Sequence, residues 1–113
     1  MARAESVHEV FENMSRAFIP EQAEGLNAVI QFELSGEGGG DWQVGIADGQ
    51  VNATAGSADY PNVTISATAE DYLAMVNGDL DPMKAFMGGK IRVKGDVNLV
   101  LKMQSMFKRA AEL

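Results

Sequence analysis

Hydrophobic and polar positions along this chain change period several times, and each change marks an element. Val7, Val10, Phe11, Met14 and Phe18 recur at helical spacing. They predict a helix over residues 7–18 with one apolar face, and Glu5, Glu9 and Glu12 lie on its other sides. Ser6 and Glu9 have capping-box spacing at its start, and Pro20 stops it. The period then falls to two. Ala28, Ile30, Phe32 and Leu34 alternate with Val29, Gln31 and Glu33. Trp42, Val44 and Ile46 alternate with Gln43, Gly45 and Ala47, and Val51, Ala53 and Ala55 alternate with Asn52 and Thr54. Such alternation predicts strands that bury a single face. Asp48-Gly49 is a two-residue hairpin signal, and the loop SGEGGGD (35–41) joins the first strand to the second, so these three form an antiparallel meander.

A fourth strand, Val63-Thr64-Ile65-Ser66-Ala67, follows Tyr60-Pro61. Thr68 caps a helix whose apolar members are Tyr72, Leu73, Met75 and Val76, and Asn77-Gly78 ends it. Asp81-Pro82 starts another, with the carboxylate as N-cap and proline at the first helical position. Met83, Phe86 and Met87 form its apolar side before Gly88-Gly89. Ile91-Arg92-Val93-Lys94 is a fifth strand. Asp96 caps a last helix in which Val97, Val100, Met103, Phe107 and Ala110 share a face that Leu101 and Met106 widen. The order predicts one α+β domain over residues 1–113: a five-stranded, mostly antiparallel sheet with helices packed on one face. Ile30, Phe32, Trp42, Val44, Ile65 and Val93 are expected to point toward those helices.

A chain of 113 residues makes one domain. It has no cysteine, which excludes a disulfide framework, a thiolate metal site and a cysteine nucleophile, and fits a reducing compartment. MARAESVHEVFE carries acidic residues where a signal peptide needs an apolar run, and no stretch has the apolar length of a membrane span, so a cytoplasmic protein is expected. The net charge of −7 argues against nucleic acid as a partner. The charge is uneven. Residues 1–83 hold 2 basic and 14 acidic side chains, whereas residues 84–113 hold 7 basic and 2 acidic. A solvated Lys/Arg face accounts for the second group; so does a surface that makes transient contact with anionic membrane.

Catalysis has little to stand on. His8 is the only histidine and falls in the first turn of an exposed helix. Glu70-Asp71, and Asp79 with Asp81, sit where helix dipoles favour negative charge, and no set of converging metal ligands is in view. Neither a metal nor a cofactor is expected, and no catalytic residue. The glycine-rich loop 36–40 lacks a Gly-Lys-Ser/Thr ending and leads into a strand, unlike a phosphate loop. What stands out is apolar supply in the predicted helices: Met14, Met75, Met83, Met87, Met103 and Met106, joined by Phe11, Phe18, Phe86 and Phe107. Methionine suits surfaces that repack around variable apolar partners, and the same stripe also describes an ordinary core.

DPMKAFMGGKIRVKGDVNLVLKMQSMF (81–107) resembles the C-terminal block of the sterol-carrier-protein-2 domain family: an Asp-Pro helix start, an aromatic followed by Met, a glycine and Lys90, a basic-apolar strand, Gly95-Asp96, then a long apolar helix. ADYPNVTISATAEDYLAMVNG (58–78) is similar to that family too, and the resemblance runs over roughly residues 6–110. It implies strand order 3-2-1-4-5 and an apolar tunnel or cavity between sheet and helices. It implies non-catalytic binding and transfer of a fatty acid, fatty acyl-CoA, phospholipid or sterol-like ligand by a protein expected to be monomeric. The implied lining residues are Met14, Phe18, Phe32, Trp42, Val44, Met83, Phe86, Met87, Val100, Met103, Met106 and Phe107. A cavity of roughly 300–1,000 Å³ bordered by Phe86, Met87, Met103 and Phe107 is expected, with Gln31, Gln43 and Gln104 as candidate donors to a headgroup. The alternative is an accessory domain of the same fold with a filled core, partnering a lipid-metabolising enzyme. The chain departs from the family at Ala111-Glu112-Leu113, which is no peroxisomal address, and in its acidic total charge, which makes sterol itself a doubtful ligand.

Overall fold

The computed structural model describes residues 4–107, apart from the side chain of Gln104. The first amphipathic stretch is not one helix but two, α1 (Val7–Glu12) and α2 (Met14–Ala17). Ser6 Oγ accepts the Glu9 N–H at 3.1 Å, while the Glu9 carboxylate accepts from Glu5 N–H rather than from Ser6. The break falls at Asn13, whose side chain donates to the Glu9 carbonyl at 2.9 Å and competes with the helical ladder there. Phe18 is already extended, and a short 3-10 turn, Pro20–Ala23, follows.

Among the described residues, five strands form one sheet in the expected order β3-β2-β1-β4-β5. They are β1 (Ala28–Ser35), β2 (Gly40–Ala47), β3 (Gln50–Ala55), β4 (Val63–Thr68) and β5 (Arg92–Gly95). The β1–β4 pair is parallel and the other three pairs are antiparallel. Asp48 and Gly49 both have positive φ, 53° and 72°, as a type I′ hairpin requires. Register aligns the apolar positions in rows. Ala55, Trp42, Phe32, Ile65 and Val93 form one row across the whole sheet, and Ala53, Val44, Ile30, Val63 and Gly95 form the next. Ile30, Phe32, Val44 and Ile65 are buried, whereas Trp42 and Val93 near the sheet edges are half-buried. A slip of one residue would turn every one of them outward.

The chain returns from β3 to β4 across the polar face, and Gln31 holds it there. Although Gln31 points away from the helices, it is buried: its Nε2 donates to the Gly56 carbonyl at 3.2 Å and its Oε1 accepts the Ala58 N–H at 2.7 Å. Asn62 closes the crossing, accepting the Val29 N–H through its side chain and the Asp96 N–H through its carbonyl.

On the apolar face lie α3 (Ala69–Val76), α4 (Pro82–Met87) and α5 (Val97–Met106) besides α1 and α2. Thr68 Oγ1 caps α3 by accepting the Asp71 N–H at 3.0 Å, and Asp96 caps α5 through the Leu99 N–H at 3.3 Å. Asp81, expected to cap α4, makes no such bond. Pro82 removes one of the free N–H groups a cap would serve, and the exposed carboxylate keeps its water. The last helix is also shorter than expected. It ends at Met106, and Phe107 turns extended to pair with Phe18 in an isolated bridge, with rings 5.5 Å apart and Ile19 N–H donating to the Met106 carbonyl at 2.7 Å. Ala110, Lys108 and Arg109 lie outside the described residues. An aromatic cluster joins helices to sheet: Phe11 stacks on Trp42 at 4.7 Å and on Tyr72 at 5.6 Å, and meets Phe32 edge-on at 5.3 Å.

Candidate functional site

The helices do not close over the sheet. A pocket of about 450 Å³ that opens to solvent remains between them. Phe32 and Ile65 from the sheet contribute its inner wall, and Val10, Met14 and Ala17 come from α1 and α2. Tyr72, Met75 and Val76 come from α3, at the i, i+3, i+4 positions that share a helix face. Leu80, Pro82 and Ile91 bracket α4, and Val100 and Met103 of α5 with Phe107 complete the lining. Desolvation by burial raises the Tyr72 phenol well above the ordinary tyrosine value of about 10.

Polar groups also reach the pocket: Glu9, Asn13, Arg16 and Asp81 line it. Asn13 belongs to the helix break, and Arg16 Nη1 donates to Asn13 Oδ1 at a long 3.5 Å. Arg16 is the one basic side chain among the described lining residues, and it is exposed. The lining is thus mostly apolar, with two carboxylates, one amide and one guanidinium among it.

Of the residues singled out in the sequence, Met14, Phe32, Val100, Met103 and Phe107 line this pocket. Phe18, Val44 and Met106 are packed in the core, and Trp42 is half-buried against Phe11. Met83, Phe86 and Met87 face outward, exposed at 47%, 45% and 81%. Phe86 and Met87 therefore do not border the pocket. With six residues, α4 buries only Ala85 of its side chains, and its larger apolar groups fall on the far side. Gln31 is committed to the 56–58 crossing, and Gln43 pairs beside it in register, on the face away from the pocket. The side chain of Gln104 lies outside the described residues. The α3 lining was missed, although its apolar spacing was visible; spacing alone does not separate a pocket wall from core.

His8 is exposed on α1, 2.8 Å from Glu12 Oε1 and with its ring 5.6 Å from that of Trp42. Among the described residues no three histidine or carboxylate side chains group to hold a metal, and no helix is long and apolar enough to cross a membrane.

A β3-β2-β1-β4-β5 sheet with helices over one face and an apolar pocket beneath them defines the class as the sterol-carrier fold. The chain belongs to the SCP-2 sterol transfer family, which it matches over residues 11–108. It is 33% identical over 109 residues to "Hydroxysteroid dehydrogenase-like protein 2" of Bos taurus, covering 96% of this chain and 26% of that protein. It thus spans about a quarter of the length of the curated relatives it matches. The solution structure of palmitated SCP2L2 from Aedes aegypti is 26% identical with a TM-score of 0.71, over 89% of this chain and 93% of that one. The sec-alkylsulfatase Pisa1 from Pseudomonas sp. shares the fold, with a TM-score of 0.83 at 17% identity, over 96% of this chain and 17% of the sulfatase.

Proposed function

We propose that this protein binds an acyl lipid in the pocket and passes it between membranes, with no chemistry on the ligand. The observation that carries this reading is the pocket of about 450 Å³, walled by apolar side chains over an aromatic floor, in a member of a sterol transfer family. Met14, Met75 and Met103 line it, and flexible thioethers suit a flexible acyl chain better than a rigid ring system. The palmitated state of the Aedes aegypti relative supports the same ligand class. Each buried CH₂ gains about 0.8 kcal/mol relative to water, but a bilayer offers nearly the same gain. Transfer from membrane to protein is then close to balanced, which suits exchange rather than capture. Burying an unpaired carboxylate or phosphate would cost several kcal/mol, so the headgroup stays at the open side, within reach of Arg16.

A second reading has its own support. The relatives are about four times longer and named as dehydrogenase-like, which suits an accessory domain that serves an attached or partner enzyme. Displacement of a fluorescent fatty acid tests the first reading. The wild type should bind saturably, and Met103→Trp, which fills the pocket, should weaken binding at least about tenfold, equivalent to roughly 1.4 kcal/mol. No saturable binding of fatty acid, acyl-CoA or phospholipid would leave the accessory role standing alone.

A further inference from the structure

Among the described residues, the large apolar side chains that are exposed lie on the two helices beside the pocket, Tyr60 apart. Met83, Phe86 and Met87 stand out from α4, and Val97 and Leu101 from α5, each of the last two 47% exposed. Both helices also touch the pocket: Pro82 opens α4 and lines it, and Val100 and Met103 of α5 line it. On α5, Val97 and Leu101 sit one turn before and one residue after Val100, so the apolar surface runs from the pocket wall out onto the helix flank. An apolar surface of this kind marks an interaction site.

Charge selects the partner. Residues 82–107 carry five basic side chains, Lys84, Lys90, Arg92, Lys94 and Lys102, against one acid, Asp96, while residues 4–81 carry only Arg16 against 14 acids. All five basic side chains are exposed. Lys84 lies on α4 between Met83 and Phe86, Lys90 follows it, and Lys102 adjoins Leu101. Exposed acids stand elsewhere, Glu5 and Glu12 along α1 among them.

We propose that the α4–α5 flank is a docking surface for an anionic bilayer, with Phe86 and Met87 inserted among the lipid headgroups and Lys84, Lys90 and Lys102 at the phosphate level. This rests on the lipid-carrier reading for its purpose. It brings the open side of the pocket against the membrane, so the acyl chain moves along Val100 and the α5 flank without crossing water. Each lysine within a Debye length of the surface strengthens attachment roughly fivefold. The acids elsewhere keep the complex reversible.

Co-sedimentation of ligand-free protein with vesicles tests docking apart from cargo binding. Wild-type protein should bind phosphatidylcholine–phosphatidylserine vesicles, bind pure phosphatidylcholine vesicles much less, and release in high salt. Phe86→Ser with Met87→Ser should reduce binding about tenfold or more, and Lys84→Glu with Lys90→Glu should abolish the preference for anionic vesicles. Both variants leave the pocket lining intact, so fatty-acid affinity in solution and the thermal melt should stay at wild-type values. Equal binding to both vesicle types, or double variants that bind like wild type, would overturn the proposal. So would concentration-dependent self-association through this flank without vesicle binding, which would make it a protein interface. Loss of fatty-acid binding in the wild type would instead strike the carrier reading and leave the sedimentation result to stand by itself.

Discussion

Replacing Gln31 with leucine removes the hydrogen bonds that hold the β3–β4 crossing against the back of the sheet. The amide donates to Gly56 O at 3.2 Å and to Phe32 O at 3.3 Å, and accepts the Ala58 N–H at 2.7 Å. A net hydrogen bond contributes about 1 kcal/mol, and a buried group left unpaired costs about 1–3 kcal/mol. Gly56 is exposed and Ala58 half-buried, so water recovers part of the loss at each. The Phe32 carbonyl lies inside the sheet, and its bond to Gln31 is the longest of the set. The short Ala58 bond then dominates, and Gln31→Leu should destabilise the fold by about 2–3 kcal/mol, or roughly 10 °C in Tm. Gln31→Glu separates the terms, because it keeps the acceptor for Ala58 but sets a carboxylate against two carbonyls. Burial and those carbonyls favour the protonated acid, which raises its folded-state pKa above the ordinary value of about 4.3. Its stability should therefore be highest below that value and fall as pH rises through the raised one. Urea unfolding at acid and neutral pH measures both effects. A Gln31→Leu variant within about 0.5 kcal/mol of wild type would mean that the crossing is held by Asn62 alone and that the Gln31 bonds add nothing.

Two other substitutions have defined outcomes. Tyr72 has its phenol pKa raised by burial, so stability is full below about pH 10 and is lost as pH rises above it; Tyr72→Phe should remove that part of the alkaline loss in melts recorded across this range. Gly95 has φ +114°, and a Cβ there would lie 2.5 Å from the Asn62 carbonyl oxygen, so Gly95→Ala should cost about 2–4 kcal/mol in urea unfolding, whereas Gly45→Ala, which meets open space, should fall within about 0.5 kcal/mol of wild type.

The sheet was legible because period two is a local signal: Ile30, Phe32 and Val44 declare their face by alternation alone. The strand order came through family resemblance, since nothing local says that β4 pairs with β1. The helices were less readable. Apolar spacing continues through Phe18, yet the helix breaks at Asn13, whose side chain competes for the Glu9 carbonyl, and Phe18 itself leaves the helical run to bridge Phe107, a contact no window of sequence contains. On α4, Met83, Phe86 and Met87 have the spacing of an inward face, but Ala85 is the side that packs, and on so short a helix the small residue decides the orientation. Among the pocket residues, Met103 and Phe107 were anticipated, whereas Tyr72, Met75 and Val76 were visible only as an apolar stripe. Which stripe meets the core and which meets empty space depends on how far apart the helices stand, and that distance is set by side chains from all of them together.

The bridge between Phe18 and Phe107 has a consequence for the birth of the protein. A ribosome delivers roughly 5–20 residues each second, so the segment holding Phe18 waits several seconds for its partner. During that interval the β1–β3 meander can form, but β4 and β5 arrive later and α5 last of all. The apolar rows on Ile30 and Phe32 stay partly uncovered until then. Native closure is thus a late event that needs almost the whole described chain outside the exit tunnel, and contacts so distant in sequence also slow folding itself. A newly made molecule should accordingly depend on chaperones that shield apolar strands, and chains stalled before residue 107 should be degraded rather than stored.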